Sequence, residues 1–174
     1  MLHQVNFVTS RHFGQRGQGT EVVSASGRNL QTRESGVADK TEAIARFIKQ
    51  EFPQTRVEVD AVGERSARVS QAVDESDLRP GGTVSGPTLM ALADVALYVA
   101  LLGEIGIVPL AVTTSLTINF LRKPEASKRV IGECQLMKVG KTLAVGEVSL
   151  YSEGLDEPVA HVVGTYSIPP AHMR

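Results

Sequence analysis

Cys134 is the one cysteine in 174 residues. That excludes an intrachain disulfide framework and a metal site built from several thiolates. It is compatible with a reducing compartment. An excess of one charge is also missing, since 18 basic residues stand against 19 acidic ones. A dedicated nucleic-acid binder carries a basic surplus, so no nucleic-acid partner is expected. Long hydrophobic runs are lacking too. The longest, Leu89–Leu102, is interrupted by Asp94 and falls short of the roughly 20 residues a membrane helix needs. No membrane partner is therefore expected. Residues 1–6 lack the apolar stretch of a secretory signal, so a cytoplasmic location is expected. His3, His12, His161 and His172 are scattered without ligand spacing, so no metal is expected.

The sharpest shortage is of charge in mid-chain. Between Pro80 and Leu121 only Asp94 and Glu104 are charged. At the chain average of 21%, such a stretch would hold about nine charges. A near-neutral block thus sits inside an ordinary chain, with one carboxylate in its most apolar part.

The elements read as follows. Residues 1–38 have no sustained periodicity and are expected to be a flexible N-terminal extension. Asp39, with Glu42 three residues on, has the spacing of a capping box. Ala43, Ile44, Phe47 and Ile48 then make an apolar stripe up to Pro53. Arg56–Val62 and Arg65–Val73 alternate as strands around a Gly63-Glu64 turn. A helix is predicted from Gly86-Pro87 to a stop at Gly103. It is apolar nearly all round, so it must be buried on most faces. Strands are predicted near Ala111–Arg122, Arg129–Val139, Thr142–Ser152 and Val159–Ile168. Short connections make them antiparallel. A wholly apolar helix needs a sheet around it, which gives an α+β fold over residues 39–170 with a tail at 171–174.

Asp94 carries the chemistry. Its neighbours on a helix are Met90, Ala91, Leu97, Tyr98 and Leu101. A carboxylate there is costly unless paired or hydrogen-bonded, and such costs concentrate at functional sites. A structural role, bonded to a backbone group or an arginine, remains open. The stretch from Gly81 to Pro87 is the second feature. Small residues let a ligand approach the backbone, and a helix start offers free N–H groups to an oxyanion. Ser85 reads as an N-cap, since no G-x-S-x-G elbow surrounds it. Cys134 and His161 read as structural.

Ser85–Asp94, S-G-P-T-L-M-A-L-A-D, resembles the H-G-G-x-x-x-x-L-x-D segment of hotdog-fold acyl-CoA thioesterases, closest to the phenylacetate-pathway group. Thr117–Pro124 resembles that group's strand ending in F-L-R-P. The resemblance spans about residues 40–170. It implies a hotdog fold, an antiparallel sheet of five to six strands wrapped around a long central helix. It implies hydrolysis of acyl-CoA to free acid and CoA, with no cofactor beyond the coenzyme A of the substrate. Asp94 falls on the catalytic carboxylate, base or nucleophile. Gly86 falls on the glycine whose N–H polarises the thioester oxygen. Thr113, or Thr114 beside it, falls near a hydroxyl that orients water. The family's active site lies between two subunits, so a homo-oligomer, a dimer or a dimer of dimers, is implied.

Three positions depart from the family. Ser85 stands where it has histidine, Pro87 where it has its second glycine, and Arg79 where many members have asparagine. Ser85 and Arg79 belong to the candidate catalytic set. The candidate substrate-binding set is Met90, Tyr98, Asn119, Phe120, Arg122, Lys123, Gly140 and Lys141. Arg122 and Lys123 open a cationic cluster that suits the phosphates of coenzyme A. The departures keep two other readings open: a non-catalytic acyl-CoA-binding protein, or a hotdog hydratase or dehydratase. The last needs a histidine that neither Ser85 nor its neighbours supply.

Overall fold

In the computed structural model, which describes residues 26–173 and the side chains of residues 36–173, the chain runs α1 (Ser26–Glu51), β1 (Glu58–Gly63), β2 (Ser66–Gln71), a 3₁₀ turn (Glu75–Asp77), β3 (Leu78–Arg79), β4 (Thr83–Val84), α2 (Gly86–Ile105), β5 (Val112–Phe120), β6 (Val130–Val139), β7 (Leu143–Ser152), β8 (Ala160–Ser167) and a final 3₁₀ turn, Ala171–Met173. Six strands form one sheet in the order β1-β2-β6-β7-β8-β5, with every neighbouring pair antiparallel. It is the α+β hotdog architecture. The sheet bends round α2, whose residues from Ala96 to Gly103 are all buried without a break. Only enclosure on every side allows that, and each large apolar side chain so buried contributes about 1.5–3 kcal/mol.

At 20 residues α2 is long and apolar enough to cross a membrane, although its uninterrupted runs looked too short. Here its apolar surface packs on β2, β6 and β7 instead. Ser85 is its N-cap: its side chain accepts from the Thr88 N–H, one of the donors a helix start leaves open. The expected stop at Gly103 is corrected. The helix continues to Ile105 and Gly106, at φ 85°, ends it. Gly103 serves packing, because a Cβ there would stand 2.4 Å from Cγ1 of Val62. Lys40 of α1 donates from Nζ to the Gly103 carbonyl at 3.0 Å, a cation at the negative end of α2.

The expected helix start at Asp39 is also corrected. α1 begins at Ser26 and crosses the expected boundary at 38/39. No proline stands between Ser26 and Asp39, and Gly27 and Gly36 each cost a helix only about 1 kcal/mol. The first 25 residues of the expected extension lie outside the described residues. Ile44 and Ile48 are buried as the stripe predicts, with Phe47 half-buried, whereas Ala43 is exposed. The β1–β2 turn falls on Glu64-Arg65, not Gly63-Glu64, and Arg65 takes φ 50°. The β3–β4 hairpin was not read from sequence. Gly81 and Gly82 make its turn at φ 98° and 68°, a backbone region glycine enters without strain.

Candidate functional site

α2 turns one face toward a cavity of about 810 Å³, and Pro87, Thr88, Ala91, Asp94, Val95 and Tyr98 line it. Those positions recur every three or four residues, the spacing of one helical face. Ile48, Phe52, Arg56, Gln71, Asp77, Pro109, Thr113 and Tyr166 close other sides. The volume suits a small-molecule ligand.

Asp94 is half-buried on this wall. Thr113 donates from Oγ1 to Asp94 Oδ1 at 2.6 Å. The Tyr166 hydroxyl lies 2.8 Å from the same oxygen and 3.1 Å from the Asp94 main-chain carbonyl. The carboxylate in the apolar block is therefore solvated by two hydroxyls, with no arginine on it among the described residues. The sheet register brings the two together, because Thr113 of β5 is the direct antiparallel partner of Tyr166 of β8, and opposed residues share a face. Tyr166 is buried and stacks on Tyr98, ring centroids 5.8 Å apart and 14° from parallel. Burial first, and then the charge of Asp94, push the Tyr166 hydroxyl far above the usual tyrosine range. It stays protonated and remains a donor.

A second polar cluster borders the cavity. The Asp77 side chain is 5% exposed. It accepts from Arg56 Nη2 at 2.7 Å, Gln71 Nε2 at 3.1 Å and the Asp74 N–H at 2.9 Å. Asp74 in turn pairs with Arg56 and completes a capping box with Asp77 around the 3₁₀ turn. The Ser85 N–H donates to the Asp77 carbonyl at 2.7 Å. The cluster thus fixes the approach to the first turn of α2. Its hydrogen bond to Asp77, foremost, holds the Arg56 guanidinium above its usual range.

Of the residues singled out in the sequence, Asp94, Tyr98 and Thr113 meet on the cavity wall. Thr114 donates instead to the Thr165 carbonyl at 3.2 Å. Ser85 and Gly86 stand at the start of α2, and Gly86 lies against the ring of Phe120. Arg79 is exposed on β3, and no hydrogen bond or ion pair joins it to Asp94 among the described residues. Met90 is 37% exposed and off the cavity wall. Asn119 and Phe120 are exposed at the far end of β5 from Thr113. Arg122 pairs with Glu157 at 2.9 Å and donates to the Pro158 carbonyl at 3.0 Å. Lys123 is exposed, as are Gly140 and Lys141 between β6 and β7. Tyr166, Asp77 and Arg56 were not singled out. The inward alternation of Val162, Gly164 and Tyr166 along β8 was the signal for the first.

The model of the thioesterase superfamily matches residues 81–159, which hold β4, α2 and the sheet strands β5, β6 and β7. A candidate thioesterase from Silicibacter sp. TM1040 is 43% identical over 75% of this chain and 92% of its own, with a TM-score of 0.69. A mutant of the phenylacetic acid degradation protein PaaI from Thermus thermophilus is 27% identical over 69% of this chain and 99% of its own, TM-score 0.60. The PaaI protein of E. coli shares the fold at 22% identity and TM-score 0.67, over 77% of this chain and 97% of its own. No match was found among curated proteins. The hotdog sheet, the matched segment and the 43% identical relative agree: the chain belongs to the thioesterase superfamily.

Proposed function

We propose that this chain hydrolyses acyl-CoA thioesters to a free acid and CoA. One observation carries the reading: a carboxylate in the apolar middle of α2, held by the Thr113 and Tyr166 hydroxyls on the wall of a cavity of ligand size. Asp94 is the general base on water, or the nucleophile. As base it takes a proton from water while the water oxygen bonds the thioester carbon. The C–S bond then breaks, and the CoA thiolate takes the proton back. The Gly86 N–H, in the open first turn of α2, stabilises the charge on the carbonyl oxygen. Arg122 and Lys123 contact the phosphates of CoA from an exposed segment.

Helix geometry supports a dimer. Gly86 and Asp94 are eight residues apart on α2, roughly 12 Å at 1.5 Å per residue. With Asp94 as nucleophile, one carbonyl cannot lie within about 3 Å of both groups. Such a site takes Gly86 from one copy and Asp94 from another. β5 suits the contact, as it is an edge of the sheet with Val112 and Phe120 each 55% exposed, and an open edge strand invites pairing.

One observation favours the non-catalytic acyl-CoA-binding reading. Where the family has histidine, Ser85 has no imidazole to offer, and its short hydroxyl is tied to the helix start, capping α2 and lying 2.9 Å from Thr88 Oγ1. A panel of acyl-CoA esters from acetyl to palmitoyl, with aryl esters, separates the two by release of free thiol. Turnover that Asp94→Asn nearly abolishes in a folded oligomer is the expected result. Equal turnover by both proteins rejects the role of Asp94. Saturable binding with no thiol release from any ester favours the binding protein.

A further inference from the structure

The two oxygens of Asp94 are not equivalent. Oδ1 receives both hydroxyls, Thr113 at 2.6 Å and Tyr166 at 2.8 Å. Oδ2 has no hydrogen-bond partner among the described residues, on a side chain that lines the cavity. Two charge-assisted bonds on one oxygen draw density there and fix the plane of the carboxylate. Of the two donors, Tyr166 is the rigid one. Thr113 is an exposed residue of an edge strand, beside a break in register between Thr113 and Ser115. Tyr166 is 5% exposed and clamped against Tyr98, which sits one helical turn from Asp94. Its hydroxyl also lies within reach of the Asp94 main-chain oxygen at 3.1 Å, so it gauges the side chain against the helix that carries it.

We propose that Tyr166 is a positioning residue, which occupies Oδ1 with Thr113 and so makes Oδ2 the oxygen that takes the proton from water. The inference rests on the reading of Asp94 as the reacting carboxylate and adds which atom reacts and what aims it. The proton moves from water to Oδ2 as the water oxygen bonds the thioester carbon. The C–S bond breaks, and the proton passes from Oδ2 to the departing sulfur. Oδ1 keeps its two donors throughout, so the carboxylate returns to its starting pose without rotation. Tyr166 itself exchanges no proton. Burial and the neighbouring carboxylate keep its hydroxyl in the donor form.

Tyr166→Phe removes the hydroxyl and leaves the ring to stack on Tyr98. Losing a bond to a charged group should lower kcat roughly 10- to 100-fold. KM for the best ester of the panel should stay within about twofold, since ground-state binding of the ester does not pass through that hydroxyl. The discriminating step is a double-mutant cycle with Asp94→Asn. If Tyr166 acts through the carboxylate, Tyr166→Phe changes the residual rate of Asp94→Asn by less than about twofold. A purely structural role predicts the opposite: the same loss in both backgrounds, with lower thermal stability. That pattern overturns the proposal, as does an unchanged kcat in Tyr166→Phe while Asp94→Asn is dead. An active Asp94→Asn protein is a different failure, because it removes the role of Asp94 and the proposal with it.

Discussion

Leu97 of α2 reaches the sheet through Gly164 of β8: a Cβ on Gly164 would stand 2.4 Å from Leu97 Cδ1. Gly146, the direct β7 partner of Gly164, does the same for the other methyl, with Cδ2 at 2.8 Å. Two glycines side by side on adjacent strands thus form a notch that one leucine fills. The notch lets the helix lie close to the sheet, and interiors at crystal-like density do not yield easily. Gly164→Ala is expected to destabilise by about 1–3 kcal/mol through overpacking, and Leu97→Ala by about 2–5 kcal/mol through the cavity it leaves. The two should not add, because the new methyl partly fills the space the leucine vacates. Urea unfolding of the single and double variants measures this, and simple additivity would rule out the notch.

Asp77 is expected to be the more sensitive end of the Arg56 pair. Its side chain is 5% exposed while that of Arg56 is 41% exposed. Removing Asp77 leaves the Gln71 amide and the Asp74 N–H without their acceptor, whereas Arg56 can turn to water. Each buried donor left without its acceptor costs about 1–3 kcal/mol. Asp77→Ala should approach that loss in chemical denaturation. Arg56→Ala should lose less, since the Asp77 carboxylate keeps Gln71, the Asp74 N–H and Thr88 Oγ1 as donors. A larger loss for Arg56→Ala would contradict this order.

The fold was legible in the sequence because its strongest signals are local. The uncharged block around α2 and the alternation in β6, β7 and β8 each need only a window of residues, and the observed strands fall within a few positions of those expected. Asp94 was legible as a charge out of place. What a window cannot show is register. Thr113 and Tyr166 are 53 positions apart and meet only because β5 pairs with β8. Arg56 and Asp77 meet across β1, β2 and the turn that follows. The glycine notch is invisible for the same reason, since Gly146 and Gly164 read separately as weak points in strands. The helix ends misled for a different reason. Asp39 and Gly103 have the right residue types for a cap and a stop, but each stands inside a helix that runs past it: α1 already begins at Ser26, and Gly103 packs on Val62 while α2 continues to Ile105.

Cys134 should resist thiol reagents. Burial first, with Glu147 adding to it, pushes its thiol up to about 12. The thiolate is the reactive form, so in the pH 8 range the folded protein holds very little of it. Ellman's reagent should modify the native chain roughly a thousandfold more slowly than the chain in guanidinium, from the shift in thiolate fraction alone. The rate should rise with pH well beyond the range where a free thiol has levelled off. Labelling of the native protein at the unfolded rate would place Cys134 at the surface, against its 4% exposure.

Thr113 and Thr114 offer a direct test of which hydroxyl serves the site. Both are on β5, both are exposed, and the resemblance to relatives could fall on either. Their hydrogen bonds separate them. Thr113 donates to the Asp94 carboxylate at 2.6 Å, and Thr114 to the Thr165 carbonyl at 3.2 Å. Valine keeps the β-branched shape a strand favours and removes only the hydroxyl. A bond to a charged acceptor is worth about 1.5–3 kcal/mol, so Thr113→Val should lower kcat roughly 10- to 100-fold at nearly constant KM. Thr114→Val should leave kcat within about twofold and cost no more than about 1 kcal/mol of stability, since its bond is neutral and at the surface. Steady-state kinetics of the two variants on one acyl-CoA decide the matter. A loss confined to Thr114→Val would move the water-orienting hydroxyl one residue along the strand, and with it the face of β5 that meets the substrate.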